Sequence, residues 1–137
     1  MAIARGAGTE ILRSHLFEDL DNASNLIHGV QHHIYTVLSV ICSCVIEGSL
    51  EMYLNGYDSI GGTTNSNMTV FQSGVTSTLD TFVWNDKFSF TGTEPSSNSQ
   101  DAHADQGTTT AQLLKMNTTA AADNCTVIIT YIDQNNA

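Results

Sequence analysis

Two stretches hold the residue types of a metal site. His28, His32 and His33 crowd the run HGVQHH, and Asp101, His103 and Asp105 alternate with Ala102 and Ala104. Imidazole and carboxylate are common ligands of divalent ions. If residues 28–36 are extended, His28 and His32 share a face and His33 points the other way. No carboxylate or thiol stands beside them at ligand spacing, so surface or interface imidazoles are the expectation. The Asp101–Asp105 stretch is the better candidate, yet it lacks the glycine and the downstream glutamate of a calcium loop. A solvated polar loop is expected there, and the sequence leaves open whether it holds an ion.

Nucleophilic chemistry has no support. There is no Gly-x-Ser-x-Gly elbow, and Cys42, Cys44 and Cys125 lie in apolar runs where a thiolate is disfavoured. The three cysteines leave an odd thiol under any pairing, and Cys42 and Cys44 are too far apart in a stretched backbone for easy closure. They are expected as buried, reduced thiols of a chain made in a reducing cytoplasm. The carboxylate pairs Asp19/Asp21 and Glu47/Glu51 lack the large scaffold of a glycosidase cleft. Gly61-Gly62 and Gly6-x-Gly8 lack the lysine and following helix of a phosphate loop. The expectation is therefore no enzyme, no cofactor and no metal. Tyr53, Tyr57, Phe82 and Trp84 suggest either a platform for a sugar ring or, preferred, packing of Trp84 and Phe82 on one sheet face beside Phe88 or Phe90.

Composition narrows the partners. Fourteen acids face four Lys and Arg in 137 residues, a formal charge of −10. Arg5, Arg13, Lys87 and Lys115 cannot form the basic face that a nucleic acid or an anionic membrane requires. The longest apolar run, Ile34 to Ile46, is too short to cross a bilayer as a helix. Met1–Gly8 has no signal-peptide core.

The elements that must position any site have a period near two. Ile34 to Ile46 is apolar on both faces, as in a central strand. Leu50, Met52 and Leu54 alternate with Ser49, Glu51 and Tyr53 up to Asn55-Gly56, a turn dipeptide. Met68–Gln72, Leu79–Trp84, Lys87–Phe90, Ala111–Met116 and Cys125–Ile132 follow, with Asn85-Asp86 expected as a turn. Glu10–Glu18 supplies a first strand, although Leu12, Leu16, Phe17 and Leu20 also fit a short helix. About eight short antiparallel strands give an all-β fold, a β-sandwich of the jelly-roll kind. Residues 1–9 are expected as a flexible arm, 10–137 as one domain and Thr91–Thr110, which holds the only proline, as a long loop.

The series TVLSVIC, SLEMYLNG, LDTFVWNDKFSF and CTVIITYI resembles the small β-sandwich virion proteins of tailed bacteriophages, and HGVQHHIYTVLSV is similar to marine cyanophage versions. The resemblance covers about two thirds of the chain through apolar periods and turns; the long loop departs from it. It implies a capsid decoration or cement protein bound outside the shell and bridging capsomers, with the major capsid protein or another virion protein as partner. A homo-oligomer, most simply a trimer, is implied, located in the virion after synthesis in the host cytoplasm. Ile3, Arg5, Ile11, Arg13 and Phe17 are the expected contacts, because the N-terminal segment holds two of the four cations. The alternatives are a tail, neck or fibre accessory protein and a carbohydrate-binding module.

Overall fold

Along strand β11 (Cys125–Asn135) burial alternates without interruption from Cys125 through Val127, Ile129 and Tyr131 to Asp133. One side of the strand faces a core and the other does not, and the rest of the molecule follows from that division. The computed structural model describes residues 9–20, 24–44, 48–75, 81–96, 109–118 and 125–136. The expected arm through Gly8, with Ile3 and Arg5, and the Asp101–Asp105 candidate lie outside the described residues.

The other strands are β1 (Thr9–Leu20), β2 (Ser24–His28), β3 (His33–Cys44), β4 (Gly48–Asp58), β5 (Thr63–Val75), β6 (Thr81–Trp84), β7 (Phe88–Thr91), β8 (Thr93–Pro95), β9 (Thr109–Ala111) and β10 (Leu113–Thr118). The described residues contain no helix. Leu12–Leu20, which also fits helical spacing, is strand because β1 pairs with β11 along nearly its whole length.

The first sheet has the order β1-β11-β3, with β6 and β7 placed end to end along the far edge of β3. The second has the order β2-β10-β4-β5, and β8 pairs with β9 as a separate ribbon. All pairings are antiparallel. The chain passes from one sheet to the other after β1, β2, β3, β5 and β10, and once more between β7 and β10 by way of the β8–β9 ribbon. That nesting is jelly-roll topology. Eight jelly-roll positions are filled because β6 and β7 share one, and β8–β9 is an insertion before β10.

Between the sheets, Val37, Val40, Cys42, Val127 and Ile129 meet Leu50, Met52, Leu114 and Met116, all fully buried. Each such side chain contributes about 1.5–3 kcal/mol on removal from water. The alternation of β3 slips once: Val37 and Val40 are both buried, with Val37 opposite Tyr131 and Ser39 opposite Thr130. The extra residue is a β-bulge, which lets a long strand keep both ends of its apolar face inward.

Four local expectations change. Asn55-Gly56 is not a turn; β4 runs on to Asp58 because Asn55 Nδ2 donates to Asn67 Oδ1 at 2.7 Å and the Tyr57 backbone amide donates to Glu94 Oε1. The turn falls at 59–62, where the Asp58 carboxylate accepts the Ile60 amide and Gly62 has φ 72°. Asn85–Lys87 does not reverse the chain, since the strands on either side both run antiparallel to β3. Thr91–Thr110 is not one long loop: Thr91 ends β7, and Thr93–Pro95 pairs with Thr109–Ala111.

Three connections meet at two glycines. The Gly29 amide donates to Gln112 O, the Gly92 amide to His33 O and the Gln112 amide to Gly92 O. A Cβ on Gly29 would strike the Gly92 and Gln112 carbonyls, and one on Gly92 would strike the Val30 backbone. The absence of a side chain is what allows the segments this close.

The fourth correction concerns sulfur. Cys44 and Cys125 are register partners on β3 and β11 and form a disulfide, so they are not two reduced thiols. The unfavourable Cys42–Cys44 spacing was the relevant obstacle only for neighbours in sequence; the bond joins residues 81 apart. Cys42 is free, buried, and 3.6 Å from Met116 Sδ.

A link of that span removes much freedom from the unfolded chain. A Cys44→Ala/Cys125→Ala variant should lose about 4 kcal/mol, read as a lower urea midpoint. Reductant should lower the unmodified chain by a similar amount and leave the variant unchanged.

Burial pushes the Cys42 thiol up to about 12 from 9.0 and, as the first cause, raises the Tyr35 and Tyr131 phenols as well. The unfolded chain releases these protons first, so their contribution is complete below pH 9 and is lost as pH rises toward 12. Urea midpoints should fall through that window, and Cys42→Ala should make the fall shallower.

Candidate interaction surface

The alternation of β1 divides its residues between two environments. Ile11, Arg13 and Phe17 stand opposite Asp133, Tyr131 and Val127, on the side that faces the core. Arg13 Nε donates to Asp133 Oδ2 at 2.9 Å, and Phe17 packs against the core. Leu12 and Leu16 take the opposite side, 68% and 58% exposed.

Those leucines belong to a larger pattern. Leu16 is opposite Ile128, Ile128 opposite Ile41, and Ile41 opposite Val83. Direct cross-strand partners share a face, so one aliphatic row crosses the whole outer surface of the first sheet. Ile41 and Val83 are 39% and 55% exposed despite their type. A second pair, Leu12 and Ile132, leads into Thr36 and Ser89, whose hydroxyls lie 2.9 Å apart.

Charge is excluded from the middle of this surface. The outward residues of β11 are Thr126, Ile128, Thr130, Ile132 and Gln134. Those of β3, β6 and β7 are Ile34, Thr36, Ser39, Ile41, Ser43, Thr81, Val83, Ser89 and Thr91. None is ionisable, in a chain of formal charge −10. The charges flank it: Glu10 and Glu18 are exposed on β1, and Asp86 and Lys87 on the β6–β7 joint. The outer face of the second sheet differs, because Lys115 and Glu51 lie on it and Thr69 donates to Glu51 Oε1 at 2.7 Å.

The aromatic platform is not assembled as a surface. Phe82 and Trp84 point inward onto Phe71 of the opposite sheet, with ring centroids 4.7 and 5.3 Å away. Their partner is Phe71 rather than Phe88 or Phe90. Trp84 Nε1 has no hydrogen-bond partner among the described residues.

The histidines separate as well. Residues 28–36 are not continuously extended: His28 ends β2, His32 sits in the turn with φ 68°, and His33 opens β3. His33 Nδ1 lies 2.6 Å from Asp133 Oδ1. Asp133, 6% exposed, thus joins His33 to Arg13 between β1, β3 and β11. Among the described residues no three His, Cys, Asp or Glu side chains converge as metal ligands.

No family model matches the chain, and no curated protein matches it. Solved structures show distant likeness. A Bacillus endospore appendage, from a family of disulfide-linked pili, shares 15% identity over 100% of this chain and 97% of its own, with TM-score 0.41. Two infectious bursal disease virus structures, the T13 viral particle and the Gx strain, share 10% identity each, with TM-scores 0.40 and 0.36. They match 99% and 100% of this chain, which spans only 37% and 40% of the viral chains. The jelly-roll assignment rests on the strand pairing described above, independently of these likenesses.

The Asp133 cluster ties the two central strands to the edge strand. Asp133→Asn should lower stability by about 1–2 kcal/mol, the partial exposure of Arg13 screening part of the pair. A urea melt measures it, and circular dichroism should still show a β fold.

Proposed function

We propose that this chain is a non-enzymatic structural subunit of a virion that associates with further copies of itself through the outer face of its first sheet. In the finer form of this reading it decorates the outer surface of a phage head and bridges neighbouring capsomers.

The charge-free sheet face carries the reading. Two copies of formal charge −10 repel wherever acids meet. A self-contact must therefore be made where neither copy presents charge, and the outer face of β11, β3, β6 and β7 offers that with an aliphatic row across it. Flanking charges and a neutral centre are the usual anatomy of an interface. Three strand positions at their normal spacing, β6 and β7 sharing one, span roughly 500 Å² along the length of the β3–β11 pairing. One partner of a standard interface contributes about 800 Å². The jelly-roll fold and the sequence resemblance support placement in a virion.

The test replaces two exposed members of the row, Leu16→Glu and Val83→Glu. Sedimentation should show an oligomer for the unmodified chain and a monomer for the double variant, with unchanged circular dichroism. A monomer for both at all concentrations overturns self-association. Copy number in purified particles tests the finer reading, since a head decoration subunit should approach the abundance of the major shell protein. Absence from particles overturns it.

A further inference from the structure

One end of the sandwich holds a cavity of about 320 Å³ between β1, β2, β3 and β11. That is within the size range of small-ligand pockets. Its walls differ in chemistry. Phe17, Leu26, Ile27 and Val30 give an apolar side; Arg13, His15, Tyr35, Tyr131 and Asp133 give a polar one, with exposed His28 beside them.

The polar side presents hydrogen-bond donors toward the cavity. The Asp133 oxygens face Arg13 Nε and His33 Nδ1. Arg13 uses Nε for that contact, and its terminal guanidinium nitrogens make no hydrogen bond among the described residues. Tyr35 accepts the Val30 amide at 3.1 Å, which occupies a lone pair and leaves its own O–H to donate. Burial, as the first cause, raises both phenols above the ordinary range, the Asp133 charge raises each further and the Arg13 charge lowers each, so both keep their O–H. Tyr131 and His15 share one contact at 3.1 Å, leaving the other ring nitrogen of His15 unused by it. The Arg13 terminal nitrogens and the Tyr35 O–H are therefore donors that the acceptors of a ligand can meet.

We propose that this cavity binds a small organic carboxylate, its oxygens held by the Arg13 guanidinium and the Tyr35 hydroxyl and its apolar body lying against Phe17, Leu26, Ile27 and Val30. A carboxylate fits because the planar guanidinium can meet two oxygens at once. An amine would face Arg13 with like charge, and the Asp133 carboxylate on the same wall is already engaged by Arg13 Nε and His33 Nδ1. An alcohol brings a single oxygen. The site uses the inner side of β1 and is independent of the sheet face proposed for assembly.

Calorimetric titration with hexanoate tests the site, with hexanol and hexylamine as controls of the same chain length. Hexanoate should bind saturably and shift the His15 ring resonances. Arg13→Gln and Tyr35→Phe should each weaken it about tenfold, the loss of one charge-assisted or buried hydrogen bond. Arg13→Lys keeps the charge beside Asp133 but not the fork, and should give intermediate affinity in a chain that still melts cooperatively. Equal binding of hexanol and hexanoate, no saturable binding of hexanoate, or full affinity in Tyr35→Phe overturns the proposal. Sedimentation in hexanoate identifies the source of the carboxylate. Unchanged mass supports a free acid, whereas dissociation of an oligomer supports displacement of an acidic side chain supplied by a second copy.

Discussion

The alternation of β11 is the constraint on which most of the structure depends. Its inward side chains run from Cys125 to Asp133, and its neighbours β1 and β3 are both registered against it. A slip of one residue would turn Ile128 and Ile132 into the core and expose Val127, Ile129 and Asp133. It would separate Cys125 from Cys44, Arg13 from Asp133 and Leu16 from its row. The strand carries an apolar centre, a disulfide at one end and a buried carboxylate at the other, so it has three independent reasons to hold one register.

That arrangement was only partly legible in the amino-acid order. The long β3 run and the β-branched β11 announce central strands, because both faces are apolar and the period is two. The disulfide was hidden, since it needs the register between segments 81 residues apart. Local composition misled at Asn55-Gly56, where hydrogen bonds donated to Asn67 and Glu94 keep the chain extended. It misled again at Thr93–Pro95 and Thr109–Ala111, too short and polar to signal strands, yet paired to each other. Leu12 and Leu16 looked like one side of a helix, and the exposed row became visible only when pairings on four strands were known together.

The two outer faces show how similar strands serve different solvents. On the second sheet, Glu51, Lys115, Asn55, Asn67 and Thr69 occupy outward positions, with Glu51 bonded to Thr69 and Asn55 to Asn67. On the first, threonine and serine separate isoleucine, leucine and valine. Threonine satisfies a strand's preference for branching while leaving a hydroxyl for local bonds, as Thr36 does with Ser89. Such a face tolerates water and also tolerates losing it. An ionised side chain at the same positions would tolerate only the former.

The glycine crossing has a consequence for how the sequence can vary. Gly92 and Gln112 are bonded to each other, and Thr93 lies opposite Ala111 immediately beyond. The stem of the insertion is therefore clamped before the segment between Pro95 and Thr109 begins. A change at Gly92 or Gln112 therefore reaches the ribbon and both sheets together, because the same backbone bonds fix all three. The crossing is in effect a keystone, and the amino acids around it are free to vary only as far as that close backbone contact survives.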